Sequence, residues 1–158
     1  MVNKIKKQVR LLTELRKNSR ATLTEISKSI HIPVSTLFDT MKNQTTQMVK
    51  KYTCVLDFEK IGFNCRAHVV LRVNKDDREM IRKYLLKHPN VNSVYKINNG
   101  YDFLAEAVFK ELKGLEEFTE NMEGKFRIKE KKVYYIIEDI AREMFMTDEL
   151  HTQMVGVG

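Results

Sequence analysis

Residues 97–109 read Ile97-Asn98-Asn99-Gly100-Tyr101-Asp102-Phe103-Leu104-Ala105-Glu106-Ala107-Val108-Phe109, and this stretch decides the fold. Asn99-Gly100 is a two-residue hairpin signal, because both central positions of a type I′ turn need positive φ. The turn joins a strand over 91–97 to a strand over 101–109, the second with Tyr101, Phe103, Ala105, Ala107 and Phe109 on one face. Upstream, 64–73 alternates as a strand, with Ala67, Val69, Leu71 and Val73 facing one way. Asp76 with Glu79 favours a helix start, Met80, Ile81, Tyr84 and Leu85 give that helix an apolar face, and His88-Pro89 ends it. Downstream, Leu112, Leu115, Phe118 and Met122 mark another helix, Gly124 breaks it, and 126–137 reads as a fourth strand.

The order β-α-β-β-α-β is that of the ferredoxin-like split unit, a four-stranded antiparallel sheet with two helices on one face. The fold class is α+β. The uncovered sheet face carries Val70, Val94, Leu104, Val108 and Ile136, or the aromatic set of the opposite register. Contiguous apolar surface of that kind marks an interface.

Working toward the N-terminus, residues 49–58 turn β-rich and predict a linker. Before it stand three short helices. Ile5, Val9, Leu12 and Leu15 recur at helical spacing, with Leu11 widening the stripe. Thr22 and Glu25 form a capping-box pattern that opens a second helix carrying Leu23, Ile26 and Ile30 and ending near His31. Pro33 suits the first turn of a third helix through Leu37, Met41 and Met48. Two short helices joined by a tight turn have the spacing of a helix-turn-helix. The expected organisation is a helix-turn-helix domain over 1–48, a β linker over 49–62, the βαββαβ domain over 63–138 and an amphipathic C-terminal tail over 139–158. The tail reading rests on Ile140, Met144, Phe145 and Met146, and its last residues, Gly156-Val157-Gly158, are expected to be disordered.

The 158 residues carry 28 Lys/Arg and 21 Asp/Glu, a formal net charge of +7. The charge is uneven. Residues 1–51 hold eleven basic side chains against three acidic ones, a net of +8, and the remaining residues net −1. That asymmetry points to a polyanion-binding segment joined to a neutral body. The two cysteines, Cys54 and Cys65, are too few for a disulfide framework and read as reduced thiols. There is no phosphate-binding glycine loop, no CxxC, no HExxH and no GxSxG, and the four histidines share no ligand spacing. The chain is therefore expected not to be an enzyme and to need no cofactor or metal. With no long apolar run and no signal-peptide pattern, it is expected in the cytoplasm, with no membrane partner.

Several strings resemble the Lrp/AsnC family, the feast/famine transcriptional regulators. Leu11-Leu12-Thr13-Glu14-Leu15-Arg16-Lys17-Asn18-Ser19-Arg20 is similar to the family's first helix and its exit. Thr22-Leu23-Thr24-Glu25-Ile26-Ser27-Lys28-Ser29-Ile30 is similar to its second, and Ser35-Thr36-Leu37 to the opening of its recognition helix. Tyr52-Thr53-Cys54-Val55-Leu56-Asp57-Phe58-Glu59-Lys60-Ile61-Gly62 resembles the family's linker and is the most specific of these signals. Pro89-Asn90-Val91 with Val94-Tyr95, then Gly100-Tyr101-Asp102, resemble the edge and hairpin of its ligand-sensing domain. The chain departs from the pattern after Leu37: Phe38-Asp39-Thr40-Met41 and a Gln/Thr run replace the usual arginine pairs, and Lys42 is the only base on that helix.

The resemblance implies a sequence-specific regulator of double-stranded DNA. The third helix enters the major groove, with Ser35, Thr36, Asp39, Thr40 and Asn43 nearest base edges. Arg16, Lys17, Arg20, Lys28 and Lys42 contact phosphates, which position the domain without reading sequence. Asp39 suits either acceptance from a cytosine amino group or simple repulsion of phosphate. The resemblance also implies a homodimer through the open sheet face, often assembled into larger homo-oligomers. A small effector, commonly an amino acid, is implied near Asn98, Asn99, Gly100, Tyr101 and Asp102. Two other readings compete with it. An RNA-recognition motif shares the strand order, but its third strand needs a base and exposed aromatics, whereas 101–109 has two acids and no base. A metabolite-sensing or oligomeric scaffold whose helix-turn-helix has lost DNA binding is the alternative, kept open by the base-poor third helix.

Overall fold

The computed structural model describes residues 2–43 and 48–148, the side chains of 2–4 and 43 excepted. They divide into two compact units: Met1–Cys54 with Ile140–Gly158, and Val55–Asp139. The Gln/Thr run at 44–47 and the Gly156–Gly158 terminus lie outside the described residues.

In the first unit, α1 (Val2–Lys17), α2 (Leu23–Ile30) and α3 (Val34–Asn43) follow one another. α2 and α3, of 8 and 10 residues, are too short to stand alone in water, so a core shared with α1 holds them. That core is Leu11, Ile26, Ile30, Ile32 and Leu37, with Leu15, Ala21, Leu23 and Met41 against it. The inward stripe of α1 runs through Leu11 and Leu15; Ile5 is exposed and Leu12 only half-buried. Met48 is also exposed, outside this core. The capping box forms: Thr22 Oγ1 accepts from Glu25 N at 3.2 Å, and Thr22 N donates to Glu25 Oε2 at 2.7 Å. His31 ends α2 in the left-handed region at φ 52°, and Pro33 O accepts the first α3 bond, from Leu37 N at 3.0 Å.

The second unit holds β1 (Cys65–Val73), α4 (Arg78–Lys87), β2 (Val91–Lys96), β3 (Phe103–Phe109), α5 (Leu112–Lys125) and β4 (Ile128–Tyr135). The sheet order is β2-β3-β1-β4, every pairing antiparallel. This is the expected ferredoxin-like topology. Ala67, Val69, Leu71 and Val73 of β1 and Phe103, Ala105, Ala107 and Phe109 of β3 meet Ile81 and Leu85 of α4 and Leu115, Phe118 and Met122 of α5. Gly114 permits the approach of α5 to the sheet, since a Cβ there would stand 3.0 Å from Phe109 Cδ1.

Several expectations need correction. Residues 49–57 form no strand: a strand needs a ladder partner, and this segment has none among the described residues. Met80 and Leu112 lie on the solvent side of their helices, each about half exposed. Gly124 does not end α5, which continues to Lys125. Val94 is not on the open face. The β2–β3 register shifts between Val91 and Ser93, and this bulge brings Val94 opposite Ala105, on the helix-covered side. The open face carries Val70, Leu104, Val108 and Ile136 as expected, with His68, Tyr95 and Tyr134 added, by the pairings Arg66↔Val108, His68↔Tyr134, Val70↔Leu104 and Tyr95↔Leu104 and the bond from Ile136 N to Arg66 O. Residues 140–148 make bends and turns, with no helix.

Candidate nucleic-acid interface and effector site

With Leu37 and Met41 turned into the core, the opposite side of α3 presents Ser35, Phe38, Asp39 and Lys42, all exposed. Thr36 is half-buried at the edge. Thr40, expected at a base edge, is buried, and its hydroxyl donates to Thr36 O at 2.7 Å. It therefore belongs to the helix interior. Asn43 closes α3, its side chain outside the described residues. Phe38, 55% exposed, joins this face beyond the expected site residues. Its spacing of three from Ser35 and four from Lys42 places it on their face, which is the signal that finds it. An apolar ring on such a face suits the methyl group of thymine.

The five cations expected at phosphates fare differently. Arg20, Lys28 and Lys42 are exposed. Lys17 Nζ lies 2.7 Å from Glu14 Oε1, and Glu14 Oε2 accepts from Ser29 Oγ at 2.9 Å, which ties α1 to α2. Burial alone would raise the Glu14 carboxyl, but the hydrogen bonds from Lys17 and Ser29 outweigh it and hold it below its ordinary value. Arg16 is engaged within its own unit: Nε donates to Phe145 O at 2.6 Å, and Nη2 reaches Glu143 O and Glu143 Oε2, both at 3.0 Å.

At the hairpin, Asn99 has φ 60° and Gly100 φ 86°, and Asn98 O accepts from Tyr101 N at 3.4 Å. This is the two-residue turn expected of Asn-Gly. Asn98, Asn99 and Gly100 form an exposed tip. Tyr101 lies outside the strand, away from the core face expected for it, and its hydroxyl donates to Glu130 Oε1 at 2.6 Å while Lys132 Nζ stands 4.9 Å from the ring centre. That hydroxyl, with Lys132 and Arg72 beyond it, keeps the Glu130 carboxylate below its ordinary pKa. Asp102 is a structural tie: Oδ2 accepts from Val73 N at 2.8 Å and Oδ1 meets Arg78 Nη2 at 2.6 Å. The five expected residues thus divide into an exposed tip and two side chains bound to the sheet. Glu130, Lys132, Arg72 and Arg78 complete the surroundings. These four are not visible in the sequence, because their pairing depends on strand register, which local pattern does not encode.

The Lrp/AsnC ligand binding domain model matches residues 65–143, half of the chain. The chain belongs to the Lrp/AsnC family. The helix-turn-helix regulator FL11 of Pyrococcus furiosus is 26% identical over 112 residues, 70% of this chain and 74% of that one. An uncharacterized helix-turn-helix regulator of Pyrococcus horikoshii is 23% identical over 137 residues, 86% of this chain and 92% of that one. Among solved structures, a transcriptional regulator of Neisseria meningitidis in complex with L-Met superimposes with a TM-score of 0.78 at 20% identity, covering 86% of this chain and 91% of that one. LrpC of Bacillus subtilis gives 0.76 at 20% identity, covering 85% and 95%.

This Lrp/AsnC chain has, among its described residues, no group of three His, Cys, Asp or Glu able to hold a metal ion and no helix long and apolar enough to cross a membrane. Cys54 is exposed and Cys65 buried, both free, with burial raising the Cys65 thiol.

Proposed function

We propose that this chain is a DNA-binding transcriptional regulator that reads the major groove with Ser35, Phe38 and Asp39 of α3. Arg20, Lys28 and Lys42 anchor it to phosphates. The observation that carries the reading is the coincidence of two facts. The excess charge of +8 is confined to residues 1–51, and those residues fold into a helix-turn-helix whose second helix keeps one face exposed. A basic surface of this kind supplies sequence-independent attraction, and the exposed helix face supplies base contacts. Selection of genomic fragments by the purified protein tests it: enrichment of a common site supports the reading, and uniform recovery opposes it.

The effector is proposed to sit at the Asn98–Gly100 tip. The exposed amides of Asn98 and Asn99 and the turn backbone offer donors and acceptors of the kind that hold an amino acid's carboxylate and ammonium. The Neisseria meningitidis relative bound to L-Met supports an amino acid as the ligand class. A homodimer through the open sheet face is proposed from Tyr95, Leu104 and Tyr134, together with a cytoplasmic location. The second reading, a metabolite-sensing scaffold that no longer binds DNA, is favoured by Asp39 on the groove face and by Lys42 as the only base of α3. DNA binding at low salt separates the two.

A further inference from the structure

Arg16 is held by residues more than 120 positions away in sequence, and the manner of holding is informative. Three oxygens surround one guanidinium: Phe145 O at 2.6 Å from Nε, and Glu143 O and Glu143 Oε2 at 3.0 Å from Nη2. Planar, multidentate oxygen recognition is how an arginine binds a phosphate group. The oxygens come from a segment built to deliver them. Glu143 and Met146 are both non-glycine residues in the left-handed region, at φ 55° and 62°. Such backbone persists only where surrounding contacts over-determine it. Met144 O accepts from Thr147 N at 3.2 Å and from Thr147 Oγ1 at 2.7 Å, closing the turn that aims Phe145 O and Glu143 at the arginine. Ile140, Met144 and Phe145 are all more than half exposed. The polar contacts with Arg16 tether this exposed segment, and an exposed ion pair is weak enough for a polyanion to displace.

We propose that residues 143–147 act as an internal phosphate mimic. They occupy the Arg16 guanidinium in the free protein and give it up to a DNA phosphate on binding, so that the C-terminal segment restrains DNA affinity. The proposal rests on the DNA-binding reading above. It makes the segment a competitor for one specific cation and not merely an acidic appendage.

The test compares DNA affinity and its salt dependence in the full chain, in Glu143→Asn, in Arg16→Ala and in the double variant. Asparagine keeps the left-handed backbone at low cost while removing the carboxylate. Competition predicts that Glu143→Asn binds DNA about three- to tenfold tighter, with the slope of log K against log salt steeper by up to about 0.9, one added phosphate contact. It predicts no gain from the same change when Arg16 is alanine. An equal gain in both backgrounds, or none in either, overturns the proposal, because removal of a remote negative charge would act without Arg16. If no variant binds DNA at low salt, the DNA-binding reading itself has failed and the competition falls with it. The latch is then read separately, from hydrogen exchange at the Thr147 amide. Faster exchange in Arg16→Ala establishes an Arg16-held segment, and unchanged exchange shows that there is no latch.

Discussion

Asp77 and Arg127 are fifty residues apart in sequence and share three hydrogen bonds. Asp77 Oδ2 accepts from the Arg127 backbone N at 2.9 Å and from Nε at 3.0 Å, and Oδ1 accepts from Nη2 at 3.1 Å. The pair joins the start of α4 to the turn that leads into β4, across the end of the sheet. The Arg127 side-chain and backbone donors hold the Asp77 carboxyl below its ordinary range. Its folded pKa is thus lower than its unfolded one, so the stabilisation is fully present above about pH 4 and is lost as pH falls through the folded value. Thermal melts of the wild type and Asp77→Asn should differ at pH 7, the variant melting lower, and converge as pH falls below about 4. Parallel curves throughout would show that the carboxylate charge contributes nothing.

Thr40 and Phe38 lie on opposite sides of α3 and should fail differently. Thr40→Val removes a hydroxyl bonded within the helix and should lower stability by about 1 kcal/mol or less, leaving site preference unchanged. Phe38→Ala should leave the melting midpoint nearly unchanged, because the ring is more than half exposed, yet weaken binding to thymine-containing sites by about 1 kcal/mol or more. Denaturation and competitive DNA binding on the two variants check the pair.

Asp39→Ala should govern specificity more than affinity. The exposed carboxylate is repelled by phosphate, so non-specific binding should rise or hold, while preference at one base pair relaxes by about 1–3 kcal/mol. Competitive binding to single-base variants of a selected site measures it. An unchanged preference would place Asp39 outside the groove.

DNA affinity should fall steeply with salt. With about six phosphates contacted, the loss between 50 and 200 mM salt should be roughly a thousandfold. A gel-shift titration reads it directly, and a nearly flat response would oppose the electrostatic account.

Leu104 stands opposite Val70 on one side and Tyr95 on the other, near the middle of the open sheet face. Leu104→Glu should convert the protein to a monomer at micromolar concentration while its far-UV circular dichroism is retained. Light scattering that shows an unchanged assembly would move the interface elsewhere.

The local features of this protein were legible in its sequence. The capping box at Thr22 and Glu25 closes within one helical turn, and the Asn99-Gly100 turn needs only a backbone that tolerates positive φ, so each is complete in a few neighbouring residues. The alternation of Ala67, Val69, Leu71 and Val73 reports burial on one sheet face, and with the hairpin it gave the strand order. Tertiary structure alone decided the rest. A bulge in β2 turned Val94 to the helix side, because a one-residue slip reverses every side chain beyond it. The rotation of α3 about Leu37 put Thr40 inside and Phe38 outside, a difference that composition does not carry. Asp102 became a tie to Val73 and Arg78 because β1, β3 and α4 converge there. Arg16, in sequence simply one more cation of a basic segment, found its oxygens at Glu143 and Phe145. Sequence pattern encodes which groups are polar or apolar and how they repeat. Which polar groups meet across a hundred residues is set only when the packed core brings their backbones together.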